Sequence, residues 1–165
     1  MEDEETPAVS ESHYLFNEAL REYGATYANV ARAFAAREGL HSTDATAMIE
    51  ILAAEERGDP LSPAKLSDII GLTFGATSSL LNRLESAGHV TRSRVHTDRR
   101  IVTLHSTPGV QVIADDYFNP LGENIAAVLT KYSPDTIQTF TRLLHEICTT
   151  MGEYMATPAR PPIND

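Results

Sequence analysis

The chain has a single cysteine, Cys148, so it cannot close a disulfide on itself. No apolar run reaches the roughly 18 residues that a membrane-crossing helix needs. The stretch Met1–Glu5 is acidic where a secretory leader would be basic and then apolar, and a cytoplasmic location is expected. Catalytic motifs are missing as well. None of the six histidines pairs with another at helical i, i+4 spacing, and His145-Glu146 begins a zinc-type H-E-x-x-H pattern only to meet Thr149 where the second histidine belongs. There is no G-x-S-x-G, no phosphate-binding P-loop and no G-x-G-x-x-G. These absences argue against an enzyme, and neither a cofactor nor a metal site is expected.

Positive charge is scarce too, but unevenly so. The net charge is -10, yet residues 61–105 hold six Lys and Arg against three Asp and Glu. Residues 1–60 hold four against thirteen, and residues 106–165 three against seven. The one basic segment also carries His89, His96 and His105, and its charge points to a local site for an anionic partner.

What is present is mostly helical periodicity. Residues 1–11 are acidic and aperiodic, and they read as a disordered tail. A first helix carries Phe16, Leu20, Tyr23, Tyr27, Val30 and Phe34 at alternating steps of four and three, and Gly39 ends it. Thr43 is placed to cap a second helix, which Gly58-Asp59-Pro60 breaks. Ser62-Pro63 starts a third helix, and Thr73 caps a fourth that Gly88 closes. Two β-branched runs, Val90–Val95 and Arg100–Leu104, flank a turn at 96–99 and predict a hairpin. Thr107-Pro108 opens a fifth helical region that Pro120 should kink or split. Ser133-Pro134 opens the last helix, with Ile137, Phe140, Leu144, Ile147, Met151 and Tyr154 in a second narrow seam. The tail 157–165 is proline-rich and reads as loose. Two coiled-coil-like seams are hard to bury in so small a chain, and a symmetric homodimer would cover both.

Two helices joined by a tight turn and followed by a basic hairpin have the order of a winged helix-turn-helix. The expected fold is mainly α with a small β-wing: a winged domain over 40–106 between dimerisation helices over 12–37 and 107–155. At 100° per residue, Leu80, Leu81 and Leu84 share one face of the fourth helix, while Gly75, Ser78, Ser79, Asn82 and Ser86 share the opposite one, with Arg83 at its edge. An ordinary solvated face carries Glu and Lys; small hydroxyl residues instead allow close approach to base edges in a major groove. Asn82 could pair bidentately with adenine, and Arg83 could reach guanine or a phosphate. The free N–H groups near Thr73 suit a backbone phosphate. In the hairpin, Asp98 is expected to pair with either Arg99 or Arg100 and fix the tip, leaving the other arginine to enter a minor groove. Arg92 and Arg94 share a strand face, and either contact phosphate or solubilise an edge. The candidate DNA-contacting set is thus Ser62, Thr73, Gly75, Ser78, Ser79, Asn82, Arg83, Arg99 and Arg100, with Asp98, Arg92 and Arg94 supporting the wing.

The segment L-S-P-A-K-L-S-D-I-I-G-L-T-F-G-A-T-S-S-L-L-N-R-L-E-S-A-G-H-V-T-R from Leu61, with T-D-R-R-I-V-T-L after it, resembles the MarR family of bacterial transcription regulators. The resemblance implies a homodimer with interlocked N- and C-terminal helices, two winged domains on a pseudo-palindromic double-stranded operator, and repression in most cases. It also implies a small aromatic or anionic effector bound between the dimerisation helices and the winged domain; His13, Tyr23 and His41 are candidates without an assignment. Some members sense oxidants through a cysteine near the N-terminus, but Cys148 lies in the last helix and reads as a small structural residue. The competing reading is a winged helix used only for protein contacts.

Overall fold

A computed structural model describes residues 11–94 and 102–157. The chain divides into two compact units, Met1–Asp115 and Asp116–Asp165. The element order is α1 (Glu11–Glu38), α2 (Ser42–Glu56), α3 (Pro63–Ile70), α4 (Phe74–Ser86), β1 (Val90–Ser93), β2 (Thr103–Ser106), α5 (Pro108–Leu129) and α6 (Pro134–Ala156). This is the expected mainly helical chain with a small antiparallel hairpin. The tail expected over 1–11 lies outside the described residues except for Glu11, which opens α1; of the tail over 157–165 only Thr157 is described, as the C-cap of α6.

The first unit is organised around one apolar core. Phe34 comes from the end of α1, Met48 and Ile51 from α2, Leu66 from α3, Leu80, Leu81 and Leu84 from α4, Leu104 from β2 and Val110 from the start of α5, and each is essentially inaccessible. Every such side chain contributes about 1.5–3 kcal/mol when fully buried. Local signals set where the helices stop. At the end of α4, Gly88 adopts a left-handed φ of 74°, the His89 N–H donates to the Leu84 carbonyl and the Gly88 N–H to the Glu85 carbonyl, both at 2.9 Å. This paired closure needs a residue without a Cβ penalty, as the sequence position of Gly88 implied.

Three local expectations change. The second helix starts at Ser42, with His41 in the cap position and no side-chain cap bond, rather than from a Thr43 cap. The Leu40 N–H already closes on the Ala35 carbonyl at 2.9 Å, so the chain turns into α2 earlier, and Asp44 falls in its acid-favouring first turn. The second strand runs over Thr103–Ser106, later than Arg100–Leu104, because its anchors lie there: the Leu104 N–H donates to the Leu61 carbonyl at 2.8 Å and the Ser106 N–H to Glu55 at 3.0 Å. The third is α5, which continues through Pro120. Proline removes one intrahelical bond, and on this exposed stretch that loss does not end the helix.

In the second unit, Ser133 caps α6 by accepting from the Thr136 N–H at 3.2 Å, with Pro134 in the first turn, as the sequence implied. No residue of α6 is buried, and Met151 and Tyr154 of its seam are 59% and 81% exposed. On α1, Tyr23 and Tyr27 stack on each other at 6.1 Å yet are also largely exposed.

One core group is poorly matched. The Thr77 hydroxyl is buried on the inner side of α4 and has no hydrogen-bond partner among the described residues. A buried, unsatisfied hydroxyl opposes folding. Thr77→Val, which keeps the shape and removes the polar atom, is therefore expected to stabilise the protein by about 1 kcal/mol. A rise of a few degrees in Tm, followed by circular dichroism, checks this.

Candidate nucleic-acid interface

The helix-turn-helix is built by three hydroxyl groups. Ser62 caps α3 by accepting from the Lys65 N–H at 3.2 Å, and Thr73 caps α4 by accepting from the Ala76 N–H at 3.3 Å. Between them, Gly71 turns the chain with a φ of 66°, and the Ser67 hydroxyl donates to the Leu72 carbonyl at 2.6 Å. The turn is thereby locked at both ends, which fixes the angle at which α4 leaves α3. Ser62 and Thr73, both on the candidate DNA-contacting list, thus carry structural bonds.

Helix α4 presents the two faces that its sequence implied. Thr77, Leu80, Leu81 and Leu84 are buried. Gly75, Ser79, Asn82 and Ser86 are exposed, and Ser78 is half-buried at the edge. Ser79 donates its hydroxyl to the Gly75 carbonyl at 3.1 Å, leaving oxygen lone pairs to accept. Sequence reasoning passed over Phe74. It is the first residue of α4 and is 67% exposed, outside the buried arc that the helical angles define. An aromatic ring at the tip of an otherwise polar helix can meet a thymine methyl.

Arg83 has a different role from the one its position alone implied. Its Nη2 donates to Asp44 Oδ1 at 2.6 Å and its Nε to Oδ2 at 3.2 Å, a fork joining α4 to the first turn of α2. Asp44 is buried while the Arg83 side chain is half exposed. The hydrogen bond to Asp44 raises the guanidinium above its already high ordinary pKa. Arg83 is therefore a clamp between helices, and the base or phosphate contact expected of it would require that clamp to open. Asp44, which supplies the other half, was missed; its local sequence signal is only that of an acid in the first turn of a helix.

The wing is clipped to the domain from two sides. In the hairpin register Val90 faces Ser106 and Arg92 faces Leu104, so Arg92 shares a face with buried Val90 and Leu104. From there its Nη1 reaches Glu85 Oε2 at 2.7 Å and its Nη2 donates to Asn82 Oδ1 at 3.1 Å. Arg92 is thus held against α4 and is not an unattached phosphate contact. The Asn82 oxygen on which bidentate adenine recognition relies already has a donor. From the other side, the Glu55 carboxylate of α2 accepts from the Ser106 N–H at 3.0 Å, the Ser106 hydroxyl at 2.5 Å and His105 Nδ1 at 3.0 Å. Arg94 follows β1 and is exposed. Asp98, Arg99 and Arg100 lie outside the described residues.

This frame, two capped helices with a polar outer face and a hairpin pinned beside them, agrees with what comparison of the sequence finds. The MarR family profile matches residues 38–101. The match to the MarR family thus spans less than half of this chain. Members of this family are transcription regulators. An uncharacterized HTH-type transcriptional regulator of Bacillus subtilis (strain 168), YcgE, is 29% identical over 79 residues, which are 48% of this chain and 51% of that protein. The match therefore spans about half the length of the relative. Among solved structures, a MepR mutant from a multidrug-resistant S. aureus isolate gives a TM-score of 0.62 at 14% identity, covering 87% of this chain and 99% of its own. A MarR family protein from Bacillus stearothermophilus gives 0.59 at 23% identity, covering 88% and 99%. A further S. aureus MepR mutant, bound to an oligodeoxyribonucleotide, gives 0.50 at 15% identity over 87% and 99%. At these identities the structural likeness establishes the MarR fold. Among the described residues no group of His, Cys, Asp and Glu could hold a metal ion, and no helix is long and apolar enough to cross a membrane.

The clamp between α2 and α4 makes a specific double-mutant expectation. Arg83→Ala leaves the buried Asp44 carboxylate unpaired, so it should lower Tm more than the double change Asp44→Ala with Arg83→Ala, which removes the stranded charge as well. Thermal melts of the two single variants, Arg83→Ala and Asp44→Ala, and of the double variant decide it; a loss in the double variant equal to the sum of the two single losses would show that the pair is not coupled.

Proposed function

We propose that this chain is a sequence-specific, double-stranded DNA-binding transcription regulator, acting mainly by repression, as a homodimer on a pseudo-palindromic operator. The observation that carries the reading is the outer face of α4: uncharged, small and hydrogen-bonding, centred on Asn82, in the only basic third of an acidic chain and within the segment that the MarR profile matches. Residues 40–106 would read DNA, with α4 in the major groove and the wing beside it. Gly75, Ser78, Ser79 and Asn82 would face base edges, Ser62 and Thr73 would lie at helix starts near phosphates, and Arg94, Arg99 and Arg100 would supply wing contacts. Dimerisation through 12–37 and 107–155 is supported by the apolar seams left exposed on α1 and α6. The oligonucleotide held by a MepR mutant of the same fold adds to the case by analogy.

Release by a small aromatic or anionic effector is part of the same proposal. It is supported by a cleft of about 370 Å³ lined by Tyr27 and Arg32 of α1, Ser42, Thr43 and Thr46 of α2, and Leu72 of the turn before α4. Partial burial, then Glu50 and Tyr23, keep the Tyr27 phenol above its ordinary pKa, so it stays protonated and able to donate at neutral pH. Arg32 and the three hydroxyl groups complete a rim suited to a carboxylate on an aromatic ring. Filling that cleft would press on Leu72, which the Ser67 hydroxyl ties to α3, and so would shift the start of α4.

Fluorescence anisotropy with duplexes selected from a randomised pool tests the core of this reading. Specific binding with a log–log salt slope of about -0.9 per phosphate contact is expected. Asn82→Ala should flatten base preference at one position of each half-site while leaving binding to unrelated duplex nearly unchanged. No affinity for duplex at low salt would reject the regulator reading in favour of a protein-interaction module.

A further inference from the structure

We propose that Arg92 is a positioning residue that turns the carboxamide of Asn82 so that it reads guanine. The inference rests on the DNA-reading role proposed for α4, and it deepens that role by naming the base. The guanidinium of Arg92 bridges two residues of α4, with Nη1 at 2.7 Å from Glu85 Oε2 and Nη2 at 3.1 Å from Asn82 Oδ1. Asn82 and Glu85 are three residues apart and lie side by side along the helix, so a single planar fork can engage both. The base of the fork is fixed, because Arg92 sits on the strand face whose other members, Val90 and Leu104, are buried in the core.

The chemistry of the two groups dictates the amide's orientation. A guanidinium has five N–H donors and no acceptor, so the only Asn82 atom that can face it is the oxygen. Of the two N–H bonds of the planar amide, the one anti to the oxygen is then directed away from the guanidinium. Adenine recognition by asparagine needs oxygen and nitrogen together, the oxygen accepting from the adenine amino group. Here one lone pair of the oxygen already accepts from a cation, and an adenine amino group seeking the other would approach beside that positive charge. The guanine edge instead presents only acceptors, O6 and N7, either of which can take the outward N–H bond. Cytosine presents an amino group to the same donor and is disfavoured. Glu85 completes the device: its carboxylate holds Nη1 and offsets the attraction of Arg92 for a phosphate, which would otherwise pull the fork from Asn82.

The test uses the full chain and a randomised duplex pool. Selection with wild type and with Asn82→Ala identifies the base pair that Asn82 reads, as the position where preference is lost. The proposal expects guanine there in wild type. Arg92→Ala should shift the guanine-to-adenine ratio at that position by about tenfold toward adenine, because the freed amide can then use both atoms. Arg92→Lys keeps the positive charge but cannot span both partners, so it should move the ratio in the same direction while retaining the salt slope. It also provides the comparison if the alanine variant melts early. Adenine preference in the wild type overturns the inference, as does an unchanged ratio in both Arg92 variants with affinity falling equally for all four base pairs. In either case specific DNA binding survives, so the regulator reading stands; absence of any duplex binding by wild type removes both.

Discussion

The rotation of α4 about its own axis is the constraint on which the rest of the site depends. A turn of one residue, 100°, would carry Asn82 off the outer face and bring a leucine out. Three contacts oppose that turn. Leu80, Leu81 and Leu84 are buried along one side, the Arg83 fork is held by Asp44 of α2 on a second, and Arg92 of β1 grips Asn82 and Glu85 on a third. Hydrophobic burial supplies most of the energy but little angular definition, since neighbouring apolar side chains can repack. The charged forks add direction, because bidentate hydrogen bonds weaken quickly when misaligned.

The wing follows from the same arrangement. A two-stranded hairpin is marginal on its own in water. Here each strand is tied to a helix: β1 through Arg92 to α4, and β2 through Leu104 to the Leu61 carbonyl and through Ser106 and His105 to Glu55. The hairpin is thus the third layer of the helical domain, and its base cannot swing without breaking bonds to α2 or α4. The cleft proposed for an effector lies against α1, α2 and the turn before α4, so a ligand there would act on the elements that fix α4 and would have no need to reach the wing.

The helices and their caps were legible in the sequence because the signals are local. Ser62, Thr73 and Ser133 accept from the backbone three residues on, and Gly88 takes the left-handed conformation its position required. The buried and exposed faces of α4 were legible for the same reason, since periodicity alone separates Leu80, Leu81 and Leu84 from Asn82 and Ser86. What escaped was every contact between residues distant in sequence. Arg83 read as a DNA contact because its partner Asp44 lies 39 residues earlier, and no helical wheel joins them. The hydrogen bond of Arg92 to Asn82 escaped because the two meet only once the hairpin folds back on α4. Strand β2 was placed too early since its β-branched run is longer than the part that finds partners at Leu61 and Glu55. The wing tip, with Asp98, Arg99 and Arg100, lies outside the described residues and keeps its standing as a proposal.

The distribution of charge bears on how such a molecule would meet DNA. At physiological ionic strength fixed charges act over about 8 Å, so a duplex senses the nearest segment and not the net charge of the chain. The basic third would attract phosphate, whereas the flanking thirds, with twenty acidic residues against seven basic ones, would repel it. In the proposed role, the charge of each segment would then favour the approach of a duplex to the basic third over the acidic flanks. The same arms carry exposed apolar seams that require a partner. On the proposed reading, their acidity would disfavour nucleic acid as that partner and favour a second copy of the chain. Acid on the arms and arginine on the hairpin are in this sense one device, separating the surface that would bind the chain to itself from the surface that would bind it to DNA.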